Sequence, residues 1–224
     1  MEFEREELLI GEKINILKNK TILVLGLGGV GGYVTESLAR CGIGNLILVD
    51  YDKVDITNIN RQIIATHSNI GKLKTECFKE RMADINKYCK VTILNIFYGE
   101  DNKEVLFDNK IDYVIDCCDS LNSKKILIEE CFKRNIPIIS SMGTGNKFHP
   151  EKFLITKLKK TEYDPLAKKL RYLLKDQKEL LEVDVLYSTE KPRPYKGKIG
   201  SISYVPSVAG LLLTSYVINK FIDC

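Results

Sequence analysis

The sequence lacks the paired cysteines, clustered histidines and N-terminal apolar segment that mark several common classes of protein. None of its seven cysteines stands in a CxxC pair, which excludes a tetrathiolate zinc site of the usual spacing. The two histidines, His67 and His149, are isolated and indicate neither a metal pair nor a catalytic base. The N-terminus, MEFEREELLI, is acidic and does not have the pattern of a secretory signal. Cysteines without such a signal predict a reducing, cytoplasmic location.

A long uninterrupted apolar run is also missing. The most apolar stretch, Val205 to Ile222, contains proline, serine, glycine, asparagine and lysine. A membrane span needs about 20 predominantly apolar residues, so we interpret this stretch as a buried or dimer-packing helix. With 224 residues, 44% hydrophobic and 29% charged, the chain has the composition of one globular domain.

The first specific pattern is a glycine-rich turn between a predicted strand and a predicted helix. A β-branched run, Thr21 to Leu25, precedes the turn, and a helical pattern, Val34 to Cys41, follows it. Gly26, Gly28 and Gly31 have a GxGxxG spacing, and Gly29 lies within the same turn. Glycines permit close approach of a ligand, and the amides and dipole of the helix N-terminus favour an anion such as phosphate. The turn therefore predicts a nucleotide site.

Polar residues after the next predicted strand change the expected reaction. Leu46 to Val49 ends in Asp50, where a dinucleotide fold places the carboxylate that binds ribose hydroxyls. The residues that follow include Asp52, Asn58, Arg61 and Gln62. A nicotinamide domain has no need of the guanidinium and amide donors, whereas a site that cleaves a triphosphate uses them to stabilise charge developing on phosphate oxygens. We therefore expect ATP-dependent chemistry.

Two further charged residues are expected near the phosphates. Lys74 lies in the first turn of a predicted helix, Lys72 to Asn86, where a cation is unfavourable unless it faces an anionic ligand; an exposed lysine is the alternative. The predicted strand Ile111 to Ile115 is followed by Asp116 and Asp119. Ligands gather at the carboxyl ends of parallel strands. We favour Asp119 over Asp116 as a Mg²⁺ ligand, since Mg²⁺ binds carboxylates together with phosphate oxygens and water.

Alternating strands and helices predict an α/β fold with a doubly wound, mostly parallel sheet of the Rossmann type. After residue 140 the pattern changes, and Asn146 to Phe148 with Phe153 to Thr156 predict a β-hairpin. We divide the single domain into an N-terminal arm (1–20), a nucleotide-binding core (21–150), a helical, basic excursion (151–200) and a C-terminal packing helix (201–224).

Positive charge is concentrated in the excursion. Residues 152–198 contain 13 lysines and arginines against 7 acidic residues, although the whole chain carries only +4. A helix is predicted to begin at Asp164 and Pro165, an N-cap followed by proline. Its cations are Lys168, Lys169, Arg171 and Lys175. Cations interleaved with tyrosines favour a nucleic-acid surface, and a solvated amphipathic helix is the alternative.

Residues 21–62 resemble the ThiF-type adenylating family, which includes the ubiquitin-activating enzymes and the thiamine and molybdopterin biosynthesis adenylyltransferases. Those proteins use ATP to convert a carboxylate into an acyl-adenylate. The resemblance implies that Asp50 holds the ribose, Asn58 and Arg61 contact the phosphates, Lys74 reaches the α-phosphate and Asp119 binds Mg²⁺. The N-terminus resembles the family's RxxR segment, with Arg5 at the second arginine and Glu2 in place of the first. This implies a homodimer in which Arg5 acts across the interface.

Later motifs narrow the resemblance to one branch. The segments DPLAKKLR, VLYSTE and GSISYVPSVAGLLL resemble the tRNA threonylcarbamoyladenosine dehydratases, with a match from about Phe3 to Ile222. The resemblance implies cyclisation of the threonylcarbamoyl group on the adenosine next to the anticodon, with ATP, Mg²⁺ and a tRNA substrate. A sulfur-transfer or cysteine-desulfurase-type protein is a candidate partner. The rival hypotheses are an adenylyltransferase for a sulfur-carrier protein, a noncatalytic nucleotide-binding or tRNA-binding module, and a nicotinamide dehydrogenase.

Overall fold

A seven-stranded sheet forms the centre of the part of the chain that the structure, a computed structural model, describes: residues 2–193, 197 and 199–223. The strands are β1 (Thr21–Leu25), β2 (Asn45–Val49), β3 (Lys90–Leu94), β4 (Tyr113–Asp116), β5 (Ile138–Ser141), β6 (Phe153–Lys157) and β7 (Asp184–Ser188). The helices are α1 (Glu4–Ile10), α2 (Ile14–Lys18), α3 (Gly31–Arg40), α4 (Lys74–Ile85), α5 (Leu121–Lys133), α6 (Pro165–Leu173) and α7 (Tyr204–Ile222).

The strand order places the reversal of the sheet beside β1. The order is β3-β2-β1-β4-β5-β7-β6, and every neighbouring pair is parallel except β6 and β7. The chain winds outwards from β1 to β3 and then returns to β4 on the other side of β1. Open α/β sheets bind ligands at such a reversal, outside the carboxyl ends of the strands. The predicted doubly wound fold is confirmed.

Apolar residues on the two faces of the sheet form two cores. On one face, fully buried residues of α3, α4 and α7 pack on β1 and β2, among them Val34, Phe78 and Leu213. On the other face, α5 and α6 pack through residues such as Leu127 and Leu170. Strands covered on both sides read as nearly continuous apolar runs, which is why β1 and β2 were evident from the sequence.

The predicted β-hairpin has a different partner strand. The prediction paired residues 146–148 with residues 153–156, but Phe153–Lys157 pairs antiparallel with Asp184–Ser188, and residues 146–148 lie outside the strands. Two segments of the predicted excursion therefore belong to the central sheet, as β6 and the buried strand β7. Sequence periodicity reveals a strand but does not reveal which distant strand it joins.

The C-terminal helix α7 completes the core beneath the glycine turn. By length and composition alone this helix is long and apolar enough to cross a membrane, with a mean hydropathy of 1.4. Its face formed by Val205, Ala209, Leu213 and Val217 is fully buried. Near the start of the helix lies Pro206, whose Cβ would be 3.2 Å from a Cβ atom added to Gly29. The predicted packing helix thus supports the glycine turn.

Replacement of Gly210 by alanine should disturb the packing of α7 against α3. A Cβ atom at Gly210 would lie 2.5 Å from the carbonyl oxygen of Val30 and 2.9 Å from Cβ of Tyr33. Although alanine favours a helix over glycine by about 1 kcal/mol, overpacking of this kind commonly costs about 1–3 kcal/mol. We expect Gly210→Ala to lower the free energy of unfolding in urea.

The control is Gly99→Ala, because a Cβ atom there would meet nothing within 4 Å. It should leave the free energy of unfolding unchanged or raise it by about 0.4–1 kcal/mol. Equal stability of the two variants would contradict the close packing of α7 on α3.

Candidate nucleotide-binding site

A cleft of about 330 Å³ opens at the carboxyl ends of β1, β2 and β4. Ten residues that the sequence predicted for nucleotide binding line it: Gly26, Gly28, Gly29, Asp50, Asp52, Asn58, Arg61, Gln62, Lys74 and Asp119. They come from four separate segments of the chain, and the reversal of strand order brings them together. Their contacts with a nucleotide stay a prediction.

The glycine turn is tightly packed and tied to β2. A Cβ atom on Gly31 would lie 1.8 Å from the carbonyl oxygen of Gly26, so the turn cannot accept a side chain there. Asp50 Oδ2 accepts a hydrogen bond from the Leu27 amide at 2.6 Å, and its Oδ1 accepts one from the Asp52 amide at 2.8 Å. Asp50 therefore fixes the glycine turn as well as facing the cleft, a role that its sequence position did not indicate.

The segment after Asp52 is fixed by local hydrogen bonds. Asp55 and Asn58 form a capping box, in which the Asn58 side-chain oxygen accepts a hydrogen bond from the Asp55 amide at 3.2 Å. Arg61 donates to the Thr57 carbonyl and to the Asn60 side chain, each at 2.9 Å. These bonds limit the rotamer freedom of the amide and the guanidinium, which lowers the entropy cost of binding an anion.

Lys74 is buried at the side of the cleft. Its side chain is 5% exposed, and its Nζ atom donates to Asp52 Oδ2 at 2.7 Å. The alternative of an exposed lysine is therefore wrong. Asp52 is itself 46% exposed, so it orients the ammonium group without removing its charge from the cleft.

The structure separates the two candidate metal-binding aspartates. Asp116 is fully buried, and Lys124, also fully buried, donates to it at 3.0 Å. Burial acts to lower the pKa of Lys124, but the Asp116 carboxylate offsets this and the net shift of that pKa is upwards. Asp119 is exposed and lines the cleft. Only Asp119 of this pair can face a ligand.

The charge lining the cleft suits a nucleotide that brings a divalent cation. Three carboxylates, those of Asp50, Asp52 and Asp119, face two cations, those of Arg61 and Lys74. A triphosphate alone would meet a lining with net negative charge. Mg²⁺ prefers a few carboxylates with phosphate oxygens and water, so Asp119 fits it, whereas the described residues contain no cluster of three or more His, Cys, Asp or Glu residues for a metal.

The side-chain oxygen of Gln62, a buried acceptor in the cleft, lacks a hydrogen-bond donor among the described residues. The residue as a whole is 7% exposed. A buried acceptor left without a donor costs about 1–3 kcal/mol. A ligand with hydroxyl or amino donors would satisfy it, which supports the placement of Gln62 in a binding site.

Some lining residues were missed by sequence reasoning. Tyr51 and Phe97 form an edge-to-face pair 5.1 Å apart, and the rule that selected Asp50, namely position just after a strand, could have found both. Asp52, followed by burial, Asp119 and Asp50, raises the pKa of Tyr51. Thr144 and Ser201 also line the cleft. Nothing in their local sequence marks them, because only the tertiary fold brings these segments to the cleft.

The later motifs hold one rim of the cleft in place. Glu190, from VLYSTE, is buried and accepts hydrogen bonds from the amides of Phe148 and His149 at 2.9–3.1 Å. Asn146 exchanges hydrogen bonds with the backbone of Gly200 at 2.9 and 2.7 Å. These contacts join the loop after β5 to the segment that leads into α7.

Five predicted site residues lie away from the cleft. Arg5 is exposed on α1, while Lys168, Lys169 and Lys175 are exposed on or just after α6. Arg171 differs from the other α6 cations, because it is half-buried and donates to the Thr161 carbonyl at 2.9 Å. It ties the last turn of α6 to the segment that precedes the helix. Tyr195, one of the tyrosines interleaved with the cations of residues 152–198, lies outside the described residues.

A sequence model described as the ThiF family matches residues 5–223. The chain belongs to the ThiF family. This confirms the resemblance that the glycine turn and NINRQ segment indicated.

Within the ThiF family, this chain is more similar to two dehydratases than to an adenylyltransferase. The tRNA threonylcarbamoyladenosine dehydratase of Bacillus subtilis is 44% identical over 97% of this chain and 93% of its own length. A crystal structure of the Escherichia coli tRNA N6-threonylcarbamoyladenosine dehydratase in complex with ATP is 37% identical, with a TM-score of 0.94 over 99% of this chain and 94% of that one. The E. coli molybdopterin-synthase adenylyltransferase is 32% identical over 55% of this chain and 49% of its own length.

The two cysteines beside the cleft of this ThiF-family chain do not resemble nucleophiles. Burial, with a further contribution from Asp116, raises the pKa of Cys117 and of Cys118 well above the ordinary value. A raised pKa leaves less thiolate, the reactive form, at any pH below it. The six described cysteines are free, and we interpret Cys117 and Cys118 as packing residues.

We therefore expect Cys117 and Cys118 to react slowly with iodoacetamide at pH 7.5. Each unit of pKa rise lowers the thiolate fraction tenfold, so labelling should be at least about tenfold slower than for a free cysteine. It should accelerate as the pH rises. Timed labelling followed by peptide mass spectrometry measures this, and rapid labelling at pH 7.5 with loss of activity would show that a reactive thiolate is present.

Proposed function

We propose that this protein uses ATP to cyclise the threonylcarbamoyl group of the adenosine next to the anticodon in tRNA, releasing AMP and pyrophosphate. The observation that carries the proposal is the extent of the similarity. Relatives named as tRNA threonylcarbamoyladenosine dehydratases match nearly the whole chain. The match therefore includes the residues of the cleft and the basic region, residues 152–198. The cleft contributes the cations and glycine turn that a reaction at the α-phosphate requires.

In the first step, the threonyl carboxylate attacks the α-phosphorus of ATP. A P–O bond to pyrophosphate breaks, and the carboxylate becomes a mixed anhydride with AMP. Lys74, Arg61 and Asn58 stabilise the negative charge that develops on the phosphate oxygens. Asp50 keeps the glycine turn close to the phosphates, and Asp119 would hold Mg²⁺, which supplies further charge neutralisation.

In the second step, a nitrogen of the same side chain attacks the activated carbonyl carbon. The ring closes, the nitrogen gives up its proton to solvent, and AMP leaves with one oxygen of the original carboxylate, so the base has formally lost one water. Because both reacting groups belong to one side chain, proximity accelerates the step without a protein nucleophile. The raised pKa values of Cys117 and Cys118 agree with this mechanism.

The rival hypotheses fit less of the chain. The molybdopterin-synthase adenylyltransferase matches only 55% of it, and the basic region would have no role in activating a sulfur-carrier protein. A noncatalytic module would give no shared purpose to Lys74, Arg61 and Asp119. We propose that the reaction takes place in the cytoplasm, and a sulfur-transfer or cysteine-desulfurase-type partner stays a prediction that no contact in the structure tests.

The deciding experiment compares ATP cleavage by the purified protein with and without tRNA that bears linear threonylcarbamoyladenosine. We expect AMP and pyrophosphate to form with this tRNA, and mass spectrometry of the nucleosides to show loss of one water. If tRNA has no effect, and a carrier protein with a free C-terminal glycine becomes adenylated instead, the sulfur-carrier hypothesis replaces this one.

Lys74→Met should lower kcat by about 100- to 1000-fold, as expected when one donor to a developing oxyanion is lost. The fold should survive, because the substitution leaves the half-exposed Asp52 free to hydrate. The matched control is Lys72→Met, two residues earlier and exposed. Steady-state kinetics of AMP release measure the effect, and equal activity of the two variants would remove Lys74 from the proposed mechanism.

The exposed cations at α6 should bind tRNA without affecting ATP. Changing Lys168, Lys169 and Lys175 together to glutamine should weaken tRNA binding. It should also make the plot of log K against log salt concentration less steep, by about 0.7–0.9 in slope for each lost phosphate contact. The affinity for ATP should not change, since these residues lie outside the cleft.

A control triple variant, Lys79, Lys87 and Lys90 to glutamine, removes the same charge from exposed positions elsewhere. Filter binding of tRNA at several salt concentrations compares the two. An equal loss in both variants would indicate a general charge effect and would exclude a specific tRNA surface at α6.

The homodimer and the cross-subunit role of Arg5 belong to this proposal. Arg5 is exposed on α1 beside two exposed leucines, Leu8 (83%) and Leu9 (84%), which a partner subunit could cover. If Arg5 acts in the partner's cleft, Arg5→Ala and Lys74→Met should each be inactive alone. Mixed after subunit exchange, they should recover activity, because one cleft of each heterodimer then has both native residues. Absence of recovery in confirmed heterodimers would contradict the arrangement.

A further inference from the structure

A fully buried polar network lies beneath the turn that carries Asp119. Asp116 Oδ2 accepts hydrogen bonds from Lys124 Nζ at 3.0 Å and from Ser140 Oγ at 2.6 Å. Lys124 Nζ also donates to Ser140 Oγ at 3.2 Å. All three residues are 0% exposed and belong to three different elements, β4, α5 and β5. None of them can contact a substrate.

The network reaches the cleft through backbone groups of residues 117–120. Asp116 Oδ1 accepts a hydrogen bond from the Cys118 amide at 3.1 Å, one residue before Asp119. On the other side of Asp119, the Lys124 amide donates to the Ser120 carbonyl at 3.0 Å. The amide bond belongs to the first turn of α5 and does not depend on the side chain, so the lysine side chain acts on the turn through Asp116.

A buried ion pair needs a reason, because taking two charges out of water is costly and an apolar pair of similar volume is often as stable. Here the carboxylate does work that an apolar residue cannot do. Its two oxygens accept from β5, α5 and the turn, so it joins the sheet to the edge of the cleft. Lys124 supplies the positive charge that keeps this carboxylate in place.

We propose that Lys124 is a positioning residue which, through Asp116, fixes the turn of residues 117–120 and so presents Asp119 to the cleft. The inference rests on the proposed function for the part that Asp119 plays there. Outer groups that orient a metal ligand typically change metal affinity about 10- to 100-fold when mutated. Loss of Lys124 should therefore weaken the effect of Mg²⁺ on ATP binding.

The test measures ATP affinity by calorimetry with and without Mg²⁺ for the wild type and Lys124→Met. We expect the gain in affinity from Mg²⁺ to fall about tenfold or more in the variant. ATP affinity without Mg²⁺ should change less than about twofold, as for a site without direct contact. Hydrogen exchange of the peptide spanning residues 117–120 should rise, while that of β1 should not.

The matched control is Lys125→Met, the same substitution on the same helix, where the lysine pairs at the surface with Glu129 at 2.7 Å. It should leave both the Mg²⁺ gain and the exchange of residues 117–120 unchanged. Ser140→Ala removes one hydrogen bond to Asp116 without leaving a buried charge. It should lower the Mg²⁺ gain in the same direction by a smaller factor, and it serves if Lys124→Met does not fold.

The outcomes distinguish this inference from the proposed function. A normal Mg²⁺ gain and normal exchange of residues 117–120 in a folded Lys124→Met or Ser140→Ala protein would overturn the role of Lys124 and leave the dehydratase reaction intact. A wild type whose ATP affinity does not respond to Mg²⁺ would overturn the role of Asp119 together with this inference. Failure of ATP cleavage with modified tRNA, alongside a normal Mg²⁺ gain, would affect the proposed function alone.

Discussion

The close packing around the glycine turn is the constraint on which the rest of the site depends. A Cβ atom on Gly26 would lie 2.8 Å from the backbone of Cys118, and one on Gly29 would lie 3.2 Å from Pro206. The amide of Leu27 is held by Asp50 at 2.6 Å. Segments after β2 and β4 and the start of α7 therefore meet at one short turn. Displacement of any one of them would move the backbone against which a phosphate would lie.

The residues that line the cleft leave a net negative charge and one buried acceptor for a ligand to compensate. The lining carries more carboxylate than ammonium and guanidinium charge, and the buried oxygen of Gln62 has no donor within the described residues. A nucleotide accompanied by a divalent cation would offset this negative charge, and its hydroxyl or amino groups could donate to Gln62.

Much of the fold and site followed from local sequence. The strand, turn and helix around Gly26–Gly31 could be predicted because each element has its own period and the glycines mark the junction. Asp50 and Asp119 could be predicted because carboxyl ends of parallel strands meet at one edge. Lys74 could be predicted because a cation in the first turn of a helix is unfavourable unless it faces an anion. The antiparallel pairing of β6 with β7 could not, since the 26 residues between these strands, 158–183, leave no local signal of the pairing.

The sequence by itself determined the parallel sheet, the glycine turn and the family, because these depend on short-range patterns of apolar and special residues. Only the tertiary structure decided between Asp116 and Asp119. The two aspartates are three residues apart and chemically identical, and one is buried against Lys124 while the other faces the cleft. Burial and partner are properties of packing between β4, α5 and β5, so the sequence could favour Asp119 by resemblance but could not show that Asp116 is buried against Lys124.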